Sequence, residues 1–417
     1  MSRLEQLIAE LCPNGVEYEK FENVCKYIRG VTYKKTQEVN SEASNARKVL
    51  RANNITLSTN ELNFDDVKLI SRKVKVREDQ ILRKEDILIC AGSGSKEHIG
   101  KTAYISEDMD YTFGGFMAVI RCCKELNSRF FFHILTSELF SKHLRNTLNS
   151  STINNLNAEI MNNFRFPLPP LPVQQEIVRI LDNFTELTAE LTAELTAELT
   201  ARRKQYEYYR DLLLTFGDEV EWKALGEIGK LIRGSGLLKS DFVEEGFPCI
   251  HYGQLHTYYG TSANETISFV SLDQSKKLKK AKKGDVLIAG VSENIEDVCK
   301  PLAWLGGDIC ISGDMFAFRH NQNTKYITYL LQTTDFSRYK EKFAHGAKVT
   351  RLRQDKLLAY KIPVPPLEEQ KRIVAILDRF DALCNDLTSG LPAEIEARQK
   401  QYEYYRDKLL SFKEVTA

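Results

Sequence analysis

Apolar residues recur at spacings of four and three in one stretch of the chain, at Ile177, Leu181, Phe184 and Leu187. That period gathers them on one face of a helix, and the stripe runs on through the leucines of TAELTAELTAEL, 188–199, toward Tyr206, Tyr209 and Leu213. Prolines at 169, 170 and 172 suit an extended approach and a first helical turn, so the pattern predicts a helix from about 173 to 216. Ala, Glu and Leu are good helix formers, so TAEL should continue that helix, roughly 65 Å long, rather than form a flexible linker. Elsewhere short apolar runs, DILIC at 86–90, DVLIA at 285–289 and MAVIR at 117–121, have the length and β-branched content of buried strands between Gly, Asn and Ser turns.

The chain is written twice. RRKQYEYYRDLLLTF at 202–216 returns as RQKQYEYYRDKLLSF at 398–412, an offset of 196, and the same offset joins FRFPLPPLPVQQEIVRILDNF, 164–184, to YKIPVPPLEEQKRIVAILDRF, 360–380. Between these blocks the echo continues at drifting offsets: VEYEKFENVCKYIRG, 16–30, answers VEWKALGEIGKLIRG, 220–234, and GGFMAVIR, 114–121, answers SGDMFAFR, 312–319. Four segments follow: a mixed α/β domain at 1–163, a helical block at 164–216, a second α/β domain at 217–359 and a second helical block at 360–417. Two such helices in one chain pack most economically as an antiparallel coiled coil related by a pseudo-twofold. In the second block SGLP, 389–392, sets Gly390 and Pro392 against unbroken TAEL in the first, which predicts a break there.

The net charge of +1 over 417 residues requires any polyanion site to be local, since a protein holding nucleic acid by overall charge is strongly basic. The nine cysteines are scattered, with no CxxC and no Cys/His spacing suited to a metal, and no apolar run is long enough to span a bilayer. The expectation is a cytoplasmic protein with its thiols reduced.

The paired LPPL/VPPL-x-x-Q-x-x-I-V-x-I-L-D blocks, the paired KQYEYYRD blocks, the divergent domains between them and the tandem TAEL resemble the DNA-specificity subunit of type I restriction-modification enzymes, with TAEL similar to the type IC branch. The resemblance covers the whole chain. It implies two target-recognition domains, each reading half of an interrupted DNA sequence, held apart by two helices that dock two modification subunits. Those partners would carry S-adenosylmethionine and methylate adenine at N6, and restriction subunits using ATP and Mg would cleave. This chain would hold no cofactor and perform no chemistry itself. A duplicated chain does what a homodimeric reader does, placing two readers on one face of the duplex about one turn, roughly 34 to 36 Å, apart.

Basic clusters precede the matched strands, KLISRKVKVREDQILRK at 68–84 and SKKLKKAKK at 275–283, and their equivalent placement points to phosphate contacts. Base reading needs forked side chains. Arg51, Asn53 and Asn54 align with His251, Gly253 and Gln254 and differ while their flanks match, as residues for different half-sites should. Two further loop pairs diverge in the same way: SGSKEHIGK, 93–101, with VSENIEDVCK, 291–300, and STINNLN, 151–157, with AKVTRLR, 347–353. The candidate DNA contacts in the first domain are Lys34, Lys35, Arg51, Asn53, Asn54, Lys73, Lys75, Ser93, Ser95, Lys96, Lys101, Asn154 and Asn155. In the second they are Arg233, His251, Tyr252, Gln254, Lys276, Lys277, Lys280, Ser292, Asn294, Lys348, Arg351 and Arg353. On the helices the candidate partner contacts are Gln174, Ile177, Leu181, Tyr206, Tyr208 and Tyr209, with counterparts Gln370, Ile373, Leu377, Tyr402, Tyr404 and Tyr405. Three tyrosines in four residues cannot all face one helix seam, so some should be exposed.

Catalysis finds no foothold. GSKEHIGKT, 94–102, misses a phosphate-binding loop by one residue, its second copy lacks the glycines, and no N/D-P-P-Y/F tetrapeptide or nuclease-like acidic cluster occurs. The remaining rival is a coiled-coil scaffold whose two domains bind protein. It leaves the paired basic clusters and polar loops unexplained.

Overall fold

Both copies of the sequence build the same sheet. In the computed structural model, which describes residues 2–39, 46–95, 98–147, 154–346, 350–385 and 390–415, the apolar runs are the strands Ile87–Cys90, Met117–Cys122 and Val286–Ala289. The first copy orders its strands Cys25–Arg29, Met117–Cys122, Ile87–Cys90, Thr102–Tyr104, with antiparallel neighbours throughout. The second repeats this as Gly229–Arg233, Met315–His320, Val286–Ala289, Pro301–Trp304, and adds Ser262–Ala263 in parallel at the edge. A second sheet in each copy contains one parallel pair: Ala46–Leu50 with Tyr111–Phe113, and Phe247–Ile250 with Ile309–Ile311. The Asp that opens each DILI-type run is buried and paired in forked geometry with an arginine, Asp86 with Arg121 at 2.7 and 2.9 Å and Asp285 with Arg319 at 3.0 and 2.7 Å. A buried carboxylate is tolerated because two charge-assisted bonds replace its water.

The long helix is Leu171–Leu213, 43 residues, helical through every TAEL copy. In the second block Leu367–Asn385 and Leu391–Leu409 are separate helices, and residues 386–389, including part of SGLP, lie outside the described residues. The chain forms two compact units, Met1–Leu191 with Ala397–Ala417, and Thr192–Glu396. Each unit thus contains one half of the long helix.

Within the first unit, Phe184 stacks on Tyr405 at 6.1 Å and the Thr185 and Tyr402 hydroxyls are hydrogen-bonded at 2.9 Å. Positions that rise on one helix meet positions that fall on the other, so the pair is antiparallel. Residues 412–415 close the same unit: the Val16 amide donates to the Lys413 carbonyl at 2.9 Å, the Val415 amide to the Val16 carbonyl at 3.1 Å, and the Tyr18 hydroxyl to the Phe412 carbonyl at 3.1 Å. Within the second unit Tyr209 stacks on Phe380 at 5.7 Å while Tyr206 lies by Asp381 and Cys384, again antiparallel.

The sequence stripe needs one correction. A four-residue repeat turns by about 40° per copy on a helix of 100° per residue, so the leucines sweep past the seam instead of lining it. Leu187 is 63 % exposed, Leu195 is 8 % exposed, and Leu191 and Leu199 are half-buried.

Besides Tyr206, six of the helix residues expected to face partners turn inward. Ile177 and Leu181 belong to the core of the first unit and Ile373 and Leu377 to that of the second, all at most 1 % exposed. Gln174 and Gln370 are fully buried fasteners. Gln174 Oε1 accepts from the Asn127 amide at 2.8 Å and its Nε2 donates to the Pro169 and Glu125 carbonyls; Gln370 does the same with the Asn323 amide, the Pro365 carbonyl and Gln322 Oε1. They satisfy backbone groups where each helix meets its own domain and are unavailable to a partner.

Candidate nucleic-acid interface

In each copy a tight turn leads into the central strand, at Gly114-Gly115-Phe116 and at Ser312-Gly313-Asp314. Its backbone is held the same way twice. The Gly30 amide donates to the Met117 carbonyl and the Gly234 amide to that of Met315, each at 3.0 Å. A Cβ on Gly30 would lie 2.1 Å from the Gly114 carbonyl oxygen and one on Gly234 1.9 Å from that of Ser312, so only glycine permits the approach. The preceding arginine clamps the turn from beneath: Arg29 Nη2 donates to the Gly115 carbonyl at 2.9 Å, and Arg233 Nε to the Gly313 carbonyl at 3.1 Å.

The polar loops converge beside these turns. Strand pairing sets Asn155 opposite Gly92 and Asn154 opposite Ser93 in the first copy, and Arg351 opposite Val291 and Thr350 opposite Ser292 in the second. The sequence-divergent loops therefore meet in space, and Asn155 and Arg351 hold corresponding places. In the second copy two adjoining clefts share Arg233, Gly313 and Asp314: Lys239, His251 and Tyr252 line one, and Arg351 and Arg353 the other. Burial, then neighbouring Lys239, holds the His251 imidazole below its ordinary range and favours the neutral ring. In the first copy Arg51 lies against Gly114 and donates to Asp66 at 2.6 Å, and Asn53 shares that carboxylate at 3.2 Å.

Several expected contacts are framework. Asn54 is fully buried: its Oδ1 accepts from the Arg51 amide at 2.9 Å and its Nδ2 donates to the Asn63 and Asp66 carbonyls. Gln254 is its counterpart, 9 % exposed, with Oε1 accepting from the His251 amide at 2.8 Å and Nε2 bound to Ser268. Lys101 donates to the Ile55 carbonyl at 2.8 Å, and burial lowers its pKa. Asn294 closes its own turn onto Asp297 through both amide atoms. Asn54 and Gln254 are buried and do not present free groups to a duplex, whereas the exposed Asn294 and the half-buried Lys101 are partly engaged within their own domains.

Lys34, Lys35, Lys73, Lys75, Ser95 and Lys277 are exposed, and Ser93 and Ser292 half-buried. Lys276 is exposed but pairs with Asp273 at 2.9 Å, and the half-buried Lys280 sits over the Phe247 ring at 4.2 Å. Lys96 and Lys348 lie outside the described residues. Tyr206 is buried, whereas Tyr208 and Tyr404 are 64 % and 62 % exposed, Tyr209 and Tyr405 are partly exposed, and Tyr402 is half-buried. The sequence reading passed over Arg29, whose guanidinium reaches the carbonyls of Ala91, Gly115 and Leu156 and the Asn155 side chain. Its signal was the IRG tripeptide common to both copies. Among the described residues no group of three or more His, Cys, Asp or Glu could hold a metal ion, and no helix is long and apolar enough to cross a membrane.

A duplicated α/β reader with divergent polar loops is the architecture of a two-site DNA-recognition protein, and comparison with known proteins agrees. The model of the type I restriction modification DNA specificity domain matches twice, at residues 13–201 and 217–397, and the chain belongs to that family. It is similar to the EcoR124I/EcoR124II specificity subunit of Escherichia coli, 44 % identical over 59 % of this chain and 61 % of that relative, so the match spans less than two thirds of that relative. It is also similar to the specificity subunit S.HindORF215P of Haemophilus influenzae, described as putative, 35 % identical over 76 % of this chain and 84 % of that one. Two solved structures share the fold: a chain from a type I R-M system studied for complex assembly and conformational transition, with TM-score 0.69, 20 % identity and coverage of 95 % of this chain and 98 % of that one; and the HsdS subunit of Thermoanaerobacter tengcongensis, with TM-score 0.51, 20 % identity and coverage of 96 % and 97 %.

Proposed function

We propose that this chain is the DNA-binding specificity subunit of a type I restriction-modification complex acting in the cytoplasm, with each recognition domain reading one half of a bipartite, interrupted site. The observation that carries it is the paired platform: one backbone, one clamp arginine and one glycine approach occur twice, topped by different side chains, Arg51, Asn53 and Asn155 in one copy and His251, Tyr252 and Arg351 in the other. Equal scaffolds with unequal tips are what two different half-sites require. The exposed lysines supply sequence-independent grip on phosphates.

In this reading residues 1–163 and 217–359 are the target-recognition domains and 164–216 and 360–417 the helical spacers. The exposed Tyr208 and Tyr404, beside the partly exposed Tyr209 and Tyr405, are the docking points for two modification subunits, which carry S-adenosylmethionine and methylate adenine at N6. Restriction subunits that use ATP and Mg join that core. The unbroken helix through 188–199 acts as a ruler whose length sets the unread spacer.

The test is to assemble the purified chain with its modification subunits and map the methylated adenines. One interrupted sequence with two dissimilar halves is expected. Binding indifferent to sequence in a competition gel shift would point to a scaffold whose domains bind protein.

A further inference from the structure

The apex of the clamped turn carries a different residue in each copy, and neither has an internal task. Phe116 is 69 % exposed, more than any other large apolar side chain among the described residues. Its carbonyl is fixed by the Ala91 and Gly92 amides at 2.8 and 2.9 Å, and its ring rests on Gly92, where a Cβ would come within 2.8 Å of Cδ1. The corresponding Asp314 has its carbonyl fixed by the Gly290 amide at 2.7 Å. Among the described residues no hydrogen bond or ion pair engages its carboxylate, although Arg233, Lys239, Arg351 and Arg353 line the same clefts.

A solvent-facing phenylalanine on a rigid loop loses free energy to water unless something covers it. An unpaired carboxylate beside a polyanion is repelled unless it accepts from a donor that only some bases offer. Both costs vanish against a base edge. An apolar ring packs on the thymine C5 methyl, and an Asp accepts from the cytosine N4 amino group. From this we infer that Phe116 and Asp314 are the apex specificity determinants, Phe116 selecting a thymine in one half-site and Asp314 a cytosine in the other. Arg29 and Arg233 are positioning residues that set the height of each apex. The inference rests on the specificity-subunit reading and adds the two positions that choose a base.

The test uses the chain assembled with its modification subunits. Once the wild-type methylated sequence is mapped, methylation rates are measured on duplexes carrying each of the four bases at every half-site position. Phe116→Ala is expected to lower selectivity for thymine at one position of one half-site by about fourfold, the equivalent of one buried methyl group, and to leave the other half-site unchanged. Asp314→Ala should lower selectivity for cytosine at one position of the other half-site by roughly tenfold. Asp314→Leu, which keeps the size and has no acceptor, should lose the same selectivity. Unchanged base preferences at every position in these variants would overturn the inference, and so would an equal rate loss on all duplexes, which marks a phosphate or folding role. A wild-type complex without sequence preference would instead sink the specificity-subunit reading. Wild-type preference retained alongside unaltered variants sinks only this inference.

Discussion

Gln370 offers the sharpest test of how a recognition domain is fastened to its helix. Replacing it with leucine preserves volume and removes three hydrogen bonds at once, of 3.0, 2.8 and 2.8 Å. The Gln322 side chain is half-buried and can turn to water, but the Asn323 amide and the Pro365 carbonyl are left without their partner. At about 1–3 kcal/mol for each of the two stranded groups, the second unit should lose about 2–6 kcal/mol. Both tryptophans, Trp222 and Trp304, lie within Thr192–Glu396, and Trp304 is 1 % exposed, so tryptophan fluorescence reports this unit alone. With a urea slope of about 2 kcal/mol/M, Gln370→Leu should move the fluorescence midpoint down by about 1–3 M. An unmoved midpoint with an unchanged slope would refute the fastening role.

Two further outcomes are expected. Deleting Thr192–Leu195 removes one TAEL copy, shortening the long helix by about 6 Å with about 40° of rotation, and because the copies are identical the next leucine takes the place of Leu195. The methylated sequence should keep both halves and lose spacer; a spacer of unchanged length would disprove the ruler. His320, stacked on Phe318 at 5.2 Å with Nδ1 accepting from the Gln322 amide, is pushed down to about 4 by burial, against an opposing pull from Asp285. Because the folded pKa is depressed, the unfolded chain takes the proton first. Stability should fall as pH drops from the ordinary value near 6.5 to about 4, by roughly 3 kcal/mol. His320→Gln should flatten that part of a urea-midpoint profile against pH, and a profile unaltered by the substitution would count against the assignment.

The helices and strands were legible because their periodicity and apolar runs are local properties, and the duplication because long blocks repeat at one offset. The DNA face was legible only in outline. Asn54 and Gln254 look like base readers in a divergent loop, yet each spends its amide on closing a turn, and a cap three residues after its target has no distinctive pattern. Gln174 and Gln370 looked like partner contacts because burial is not written in a single side chain. A better rule lay in the duplication. Within each domain and where its helix departs, residues identical in both copies, such as Gln174 and Gln370, Ile177 and Ile373, or Arg29 and Arg233, hold the framework, while Phe116 and Asp314, which differ on identically held turns, carry what distinguishes the copies.

The contacts that residues 412–415 make with Val16 and Tyr18 bear on the order of events during synthesis. The second unit, Thr192–Glu396, is one uninterrupted segment, whereas the first needs both its own residues up to Leu191 and Ala397–Ala417. A ribosome delivers Val16 and Tyr18 first and their partners at Phe412, Lys413 and Val415 much later, Phe412 being 394 residues after Tyr18. The usual N-terminal-first order of domain folding is therefore open to reversal: the second unit is complete once Glu396 is made, whereas the first still lacks its contacts from Ala397 onward. A stop codon at Ala397 would strike the unit built from the residues up to Leu191 and spare the segment made in between.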